Sequence, residues 1–417
     1  MVTYDSLRAD HCGHLGYHRD TTPHLDRMAS EGVGFTNALA PASRTNPSMA
    51  GTLTGTPMVA RDRVADPSHS RSHLGCHGTL PEELSAQGYT TGAFNPNAYA
   101  SRHYGFDRGF DHFEDFLFQT DQYQEIFQNH LSDSTVYTLL RNFRNYLRRE
   151  EAFKTWDRYI DQIEEWVTSQ TEPFFLWIFS LDTHFPHLTP RGYRTWSSLF
   201  KQYYYNWRCN QLIDEMDPDL SEKEIQHIID IYDDSIQFGD VLLHELQQRL
   251  MEYNPVFIVF GDHGESFGER DIYGHFYPSL YEENVHVPLV TSEPIDVEDE
   301  VNPSQPISLT KVPQIVKSFT DNNVSLQSDG WTIATDYDGR NDRNLIAIRT
   351  KNAKQIACWE DGELSHIETY ALNNAIEDDP VSEESELHEI LQSILMRRYD
   401  HETELLSIQS SVSTVME

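Results

Sequence analysis

Lysine is scarce in this chain. Seven of its 31 basic residues are Lys and the rest are Arg, set against 67 Asp and Glu, which leaves a formal net charge of −36 over 417 residues. Such an acidic surface repels phosphate backbones and anionic headgroups, so general nucleic-acid or membrane-surface binding is excluded as its role. It reads instead as a hydrating coat that keeps a protein soluble where salt screens charge repulsion, as in a halophile's cytoplasm. Cysteine is equally sparse. Cys12, Cys76, Cys209 and Cys358 are scattered and form no disulfide framework, so reduced thiols in a cytoplasmic protein are expected. No apolar run approaches the roughly 20 residues of a membrane span. The N-terminus also lacks a charged stretch leading into an apolar one, so neither stable membrane insertion nor a visible export signal is expected. Hydrophobic residues still make up 38% and aromatics 12%, enough to build a core and exclude wholesale disorder.

What remains is an alternation of strand and helix signals. Residues 2–5 read as the end of a short buried strand, and Thr22 caps a helix that starts at Pro23. Val33–Ala40 reads as a strand, and Pro47–Thr54 as a helix closed by Gly55. Leu80–Gln87 reads as a helix followed by a strand at Tyr89–Phe94, residues 111–170 as mostly helical, and Ser221–Glu252 as one long helix. The runs Phe174–Leu181 and Val256–Phe260 are almost wholly apolar, as in central strands of a parallel sheet covered on both faces. After Leu309–Phe319, a helix, the short segments Leu345–Thr350, Gln355–Trp359 and Leu364–Thr369 alternate with turns such as Asp361-Gly362, which suits a small antiparallel sheet. Glu383–Arg397 reads as a further helix. The fold class expected is α/β, a three-layer sandwich with a mostly parallel central sheet plus a small C-terminal antiparallel sheet and helix. Its divisions are a catalytic domain over 1–305, a C-terminal subdomain over 306–400 and a frayed tail over 401–417.

Ligands of such sheets collect beyond the carboxyl ends of the strands. Asp5, Arg8 and Asp10 follow the first strand, Asp182, His184 and His187 follow Phe174–Leu181, and Asp262 and His263 follow Val256–Phe260. Carboxylates and imidazoles gathered at one sheet edge suit a divalent cation, because like charges packed there are costly until a metal neutralises them. Arg44-Thr45-Asn46-Pro47 leads into a helix, whose N-terminus stabilises an anion through free N–H groups and its dipole. A hydroxyl there, beside a metal, can lose its proton and attack phosphorus or sulfur.

The order of these pieces resembles the sulfatases of the alkaline phosphatase superfamily over nearly the whole chain. The stretches that carry the resemblance are Asp5-Ser6-Leu7-Arg8-Ala9-Asp10-His11, Thr22-Pro23-His24-Leu25-Asp26, Thr45-Asn46-Pro47-Ser48 with Leu53-Thr54-Gly55, and Gly105-Phe106-Asp107-Arg108-Gly109-Phe110. Asp182-Thr183-His184-Phe185-Pro186, Gly261-Asp262-His263-Gly264-Glu265, and Gly274-His275 with Leu280-Tyr281-Glu282-Glu283 and Val287-Pro288-Leu289 complete it. The resemblance implies an alkaline-phosphatase-like fold, with a metal on Asp5, Asp262, His263 and the Thr45 hydroxyl. It implies Thr45 in the nucleophile slot, His184 and His275 at the ester oxygens or the leaving group, and Asn95, Asn97 and Arg8 at the substrate.

Several positions depart from that pattern. Thr45 cannot become formylglycine by the usual route, so none is expected, and Met49 stands where the Cys-x-Pro-x-Arg pattern has Arg. Ser6 replaces the second Asp of the first motif, and Asn95-Pro96-Asn97 replaces a Lys/His pair. A Thr ester lacks the elimination route of a formylglycine hydrate and must be cleaved by water or a second alcohol, which moves the reading towards phosphate esters or transfer. Asp182, His187 and His275 would supply a second metal set. Imidazole among the donors favours Zn²⁺ or Mn²⁺ over Ca²⁺.

The function expected is thus a metal-dependent hydrolase of small anionic sulfate or phosphate esters through a covalent intermediate on Thr45. A transferase using the same intermediate and a non-catalytic, metal-stabilised binding protein are the alternatives. His69, His73, Cys76 and His77 have zinc-like spacing without a second pair and read as a polar loop. The aromatic run Phe116–Phe127 and the cluster Tyr203–Trp207 read as helical packing, and His286 as a satisfied core histidine.

Overall fold

A computed structural model describes residues 1–58, 66–116, 154–171, 173–212, 220–275, 277–295, 302–321, 326, 328–338, 343–360, 363–373 and 376–380, with a few isolated positions between 389 and 397. Val2–Tyr4 (β1), Val33–Phe35 (β2), Thr90–Phe94 (β3), His112–Glu114 (β4), Phe174–Ser180 (β5), Ile258–Gly261 (β6) and Leu289–Thr291 (β7) form one sheet of order β2-β7-β6-β1-β5-β3-β4. Every pairing is parallel except the two made by β7.

Side chains alternate across a strand, so each apolar run feeds two cores at once. Val2, Tyr4, Leu176, Ile178 and Val259 face one core, which the helices Ile160–Thr168 and Glu222–Arg249 cover. Phe175, Trp177, Phe179, Ile258 and Phe260 face the other, covered by the helices Thr45–Thr54, Leu80–Ala86 and Val312–Thr320. That is the three-layer sandwich expected. Trp177 is fully buried among these rings, and its indole N–H donates to Thr3 Oγ1 at 3.0 Å.

The helix ends follow their local chemistry. Ser221 and Thr79 each close a capping box, with Glu224 and Glu82 respectively, and Gly55 ends the Thr45–Thr54 helix at a φ of 72°. Three expectations need correction. Val33–Ala40 is not one strand: it breaks after Phe35, and Ala38–Leu39 pairs with Ile307–Ser308 instead. The start of the 111–170 stretch is not helical, because His112–Glu114 adds an edge strand to the sheet, while Ile160–Thr168 is the helix described there. Most of that stretch, including the rest of Phe116–Phe127, lies outside the described residues, as do the Asp361-Gly362 turn and most of Glu383–Arg397.

The small sheet is larger than expected. Trp331–Asp338 (β8), Arg343–Thr350 (β9), Ala353–Glu360 (β10), Glu363–Asn373 (β11) and Ile376–Pro380 (β12) pair antiparallel in chain order. It packs on Leu39, Leu280 and Val285 of the main body. Buried charges fasten the contact: Glu282 accepts from Arg349 Nε at 3.0 Å and from Lys354 Nζ at 2.9 Å, and Lys354 also reaches Glu377 at 3.0 Å. Buried ions of this kind are tolerated only when paired and hydrogen-bonded.

The zinc-like quartet does not gather. His69, His73, Cys76 and His77 lie on the Pro67–His77 helix, where Cys76 is exposed and His73 Nε2 lies 3.0 Å from Thr54 Oγ1 and 3.1 Å from the Thr56 carbonyl. His286 is buried with Nε2 3.0 Å from the Thr36 carbonyl, a satisfied core histidine as expected.

Trp177→Ala is expected to cost about 3–5 kcal/mol in urea or thermal unfolding, since it empties a fully buried site. Burial lowers the His73 pKa to about 3. The neutral ring therefore contributes stability that is complete above its ordinary 6.5 and is lost as pH falls towards 3. The slope is at most about 1.4 kcal/mol per pH unit, and His73→Gln should flatten it in a series of unfolding midpoints.

Candidate active site

Register places the first two site residues. Tyr4 of β1 pairs with Gly261 of β6, so the next residues, Asp5 and Asp262, leave the sheet side by side. Their own amides extend the ladder, Asp5 N to the Ser180 carbonyl at 3.0 Å and Asp262 N to the Tyr4 carbonyl at 3.1 Å. Both side chains are fully buried. His263 joins them, and one donor atom from each of the three lies within 4.8 Å of the others. Among the described residues no other group of three or more His, Cys, Asp or Glu gathers in this way.

The surrounding backbone is bent to serve these carboxylates. Ser6 sits at a φ of 58°, costly for a residue with a Cβ, and from there aims its N–H at Asp262 Oδ1 (3.0 Å) and its hydroxyl at Asp5 Oδ1 (2.9 Å). Asn97 donates to Asp5 Oδ2 at 2.5 Å, and the His263 amide donates to Asp262 Oδ1 at 2.8 Å. Asp262 Oδ2 is buried with no hydrogen-bond partner. Burial and the neighbouring Asp5 charge push the Asp262 carboxyl well above the usual range. Gly264 must be glycine, since a Cβ there would lie 2.0 Å from the Glu283 carbonyl oxygen.

An orphan carboxylate oxygen beside a second carboxylate and an imidazole is a donor set for a cation. His263 Nδ1 donates to the Gly264 carbonyl at 2.8 Å, which leaves Nε2 unprotonated and facing Asp5 Oδ1 (3.7 Å) and Asp262 Oδ2 (3.6 Å). Burial lowers its pKa to about 4, so the ring stays neutral. The residues present therefore fit a divalent metal.

Thr45 opens the Thr45–Thr54 helix, and its hydroxyl lies 3.2 Å from His263 Nε2. Ser48, one turn on, ties the helix to the same loop by donating to the Asp262 carbonyl at 2.6 Å. His275 and His184 complete the edge. The His275 ring is 4.6 Å from that of His263 and 5.1 Å from that of His184. Each is held at Nδ1, His275 by Glu265 at 3.0 Å and His184 by the Phe185 carbonyl at 2.5 Å. Burial opposes a charge on His275, but Glu265 outweighs it and raises the pKa.

Other expected members stand elsewhere. Arg8, expected at the substrate, is committed within the protein. Its guanidinium is taken up by Asp10 (2.7 and 2.9 Å), Glu269 (2.7 Å) and the Glu265 carbonyl (2.8 Å), so it braces the loop. Asn95 shapes a turn, donating to the Ala100 carbonyl and accepting from the Asn97 amide. The second metal set does not assemble. Asp182 Oδ2 turns back to Ser180 Oγ at 2.6 Å, and His187 is buried against Tyr232 with Nδ1 3.3 Å from Ser235 Oγ. Glu265 was missed as a site residue although it closes the Gly261–Glu265 motif; only the fold brings it to His275, ten residues on.

The mostly parallel sheet, alkaline-phosphatase-like in fold, delivers two carboxylates, imidazoles and a helix-opening hydroxyl to one edge. Residues 1–316 match the sulfatase family, and the chain belongs to that family. Arylsulfatase A of Bos taurus is 36% identical over 120 residues, which is 26% of this chain and 24% of that protein. The ulvan-active sulfatase of Formosa agariphila is 22% identical over 339 residues, 76% of this chain and 60% of that protein. The chain thus spans less than two thirds of the length of either relative. Among solved structures, the phosphonate monoester hydrolase of Agrobacterium radiobacter shares the fold with a TM-score of 0.62 at 15% identity, covering 98% of this chain and 95% of that one. No helix among the described residues is long and apolar enough to cross a membrane.

Asp262→Asn removes half of a buried like-charge pair. In chelator it is expected to unfold at higher temperature than the wild type. With excess Zn²⁺ or Mn²⁺ the wild type should gain about 2.7 kcal/mol at a hundredfold excess over Kd, and the variant much less. A wild-type midpoint that no divalent ion moves would contradict a metal at this cluster.

Proposed function

We propose that the chain hydrolyses sulfate or phosphate esters of small anionic substrates, with Thr45 as nucleophile and a divalent metal on Asp5, Asp262 and His263. The observation that carries this reading is the Thr45 hydroxyl, first in its helix and 3.2 Å from the unprotonated nitrogen of His263, beside the two buried carboxylates. Imidazole among the donors favours Zn²⁺ or Mn²⁺ over Ca²⁺. Bound there, the ion would polarise the ester oxygens and lower the pKa of a nearby hydroxyl.

The protein's own groups supply the rest. Thr45 gives up its hydroxyl proton to solvent and its Oγ1 attacks sulfur or phosphorus in line, the new bond forming as the bond to the leaving alcohol breaks. Free N–H groups at the start of the Thr45–Thr54 helix stabilise charge on the non-bridging oxygens. His275, whose pKa Glu265 raises, or His184 beside it, gives a proton to the departing oxygen. Water then attacks the sulfur or phosphorus of the Thr45 ester and loses one proton to the same imidazole, while the bond to Thr45 Oγ1 breaks and Oγ1 takes a proton back from solvent. Asn97 holds Asp5 and accepts the Tyr99 amide at 2.7 Å, so it supports the cluster.

Purified protein loaded with Zn²⁺, Mn²⁺ or Ca²⁺ in molar salt, offered aryl sulfate and aryl phosphate mono- and diesters, tests the reading. Turnover is expected, with a loss of about a thousandfold or more in Thr45→Ala. Full activity in that variant would refute the nucleophile. Product transfer to glycerol at the expense of hydrolysis would make the chain a transferase, and silence with every metal and ester would make it a binding protein.

A further inference from the structure

Among the buried carboxylates that the chemistry above leaves unused, Asp336 grips the segment that carries Thr45. Asp336 lies on β8 of the C-terminal sheet with its side chain fully buried. It accepts from Ser43 Oγ at 2.5 Å, from Ser43 N at 3.3 Å and from Arg44 Nε at 2.9 Å, and it also pairs with Arg44 Nη2. Bonds between ions, or between an ion and a neutral donor, are short and directional, so this set fixes position as well as contact. The Thr335 amide adds a bond to the Pro41 carbonyl at 2.9 Å, and the Thr335 hydroxyl one to the Met58 carbonyl at 3.3 Å, just beyond the helix.

Within the helix, Ser48 Oγ donates to the Asp262 carbonyl and Asn46 Nδ2 to the Tyr99 carbonyl, but the residues that lead into it are held by Asp336. Arg44 is the helix N-cap, in extended conformation (φ −140°, ψ 150°), and offers no side-chain cap. Met49, where the Cys-x-Pro-x-Arg pattern has Arg, is fully buried in the apolar core. The same small sheet reaches the opposite wall of the site. Arg349 and Lys354 hold Glu282, and the neighbouring Glu283 and Asn284 carbonyls accept from the amides of Glu265 (3.0 Å) and Gly264 (2.8 Å), just past His263.

We propose that Asp336 is a positioning residue for Thr45: gripping Ser43 and Arg44 from the C-terminal sheet, it sets where Thr45 Oγ1 stands over the Asp5–Asp262–His263 cluster. This rests on Thr45 acting as the nucleophile. The small sheet is then part of the active site's frame, joined to both of its walls.

Asp336→Asn and Ser43→Ala test it, with kcat, KM, the unfolding midpoint and hydrogen exchange of segment 41–48 read for each. The expected result is a tenfold or larger fall in kcat for Asp336→Asn and a several-fold fall for Ser43→Ala, KM staying within twofold. Exchange at 41–48 should quicken while segment 258–267 is unchanged. Ser43→Ala keeps the Arg44–Asp336 pair, so it reports even if Asp336→Asn does not fold. Wild-type kcat and wild-type exchange in a folded variant would overturn the proposal, and so would a kcat loss that only tracks the unfolded fraction. If the wild type turns over no ester, the hydrolase reading fails, and exchange at 41–48 still decides the clamp: quickened supports it, unchanged overturns it.

Discussion

Two carboxylates forced together in a dry place are the constraint on which this structure turns. The pairing of Tyr4 with Gly261 leaves Asp5 and Asp262 no choice but to emerge side by side, and the cores on both faces of the sheet keep water from separating them. Mutual repulsion at that spacing is only tolerable when opposing groups surround it. Ser6 accepts a strained backbone to donate twice, Asn97 and the His263 amide donate once each, and one oxygen of Asp262 is still left over. A fold that tolerates such a leftover is arranged for something positive to occupy it, and the neutral Nε2 of His263 faces the same point.

The charge of the whole molecule makes that local arrangement more demanding. At −36 the protein repels any anionic ester, and the cations nearest the site, Arg8 and Arg44, are already engaged by Asp10, Glu269 and Asp336. Attraction for an anion must therefore come from the proposed metal, the start of the Thr45–Thr54 helix and the His275 imidazole, whose pKa Glu265 raises. Each source is directional, which explains why so much of the surrounding structure is spent on orientation. Nδ1 of His184, His263 and His275 is tied down in every case, and the C-terminal sheet is bolted to both walls by buried ion pairs.

Most of the frame was legible residue by residue. Apolar runs ending in Asp or His announced β5 and β6, Pro23 and Gly55 marked helix ends, and the order of Asp5, Thr45, Asp182, Asp262 and His275 sufficed for the family. Local signals of that kind are carried by periodicity and turn chemistry, which act over a few residues. What could not be read depended on partners far along the chain. Arg8 looked available for a substrate until Glu269 closed on it, and Asp182, His187 and His275 looked like ligands until Ser180, Ser235 and Glu265 claimed them. Asp336, some 290 residues from Ser43, gave no sign at all. Composition and strand-end chemistry alone determined the class of fold, the acidic exterior and which residue types crowd the sheet edge. Which carboxylates are left without partners, and which are neutralised by a distant arginine, only the tertiary structure decided, because satisfaction of a buried charge is settled by whatever side chain the packed fold brings within about 3 Å.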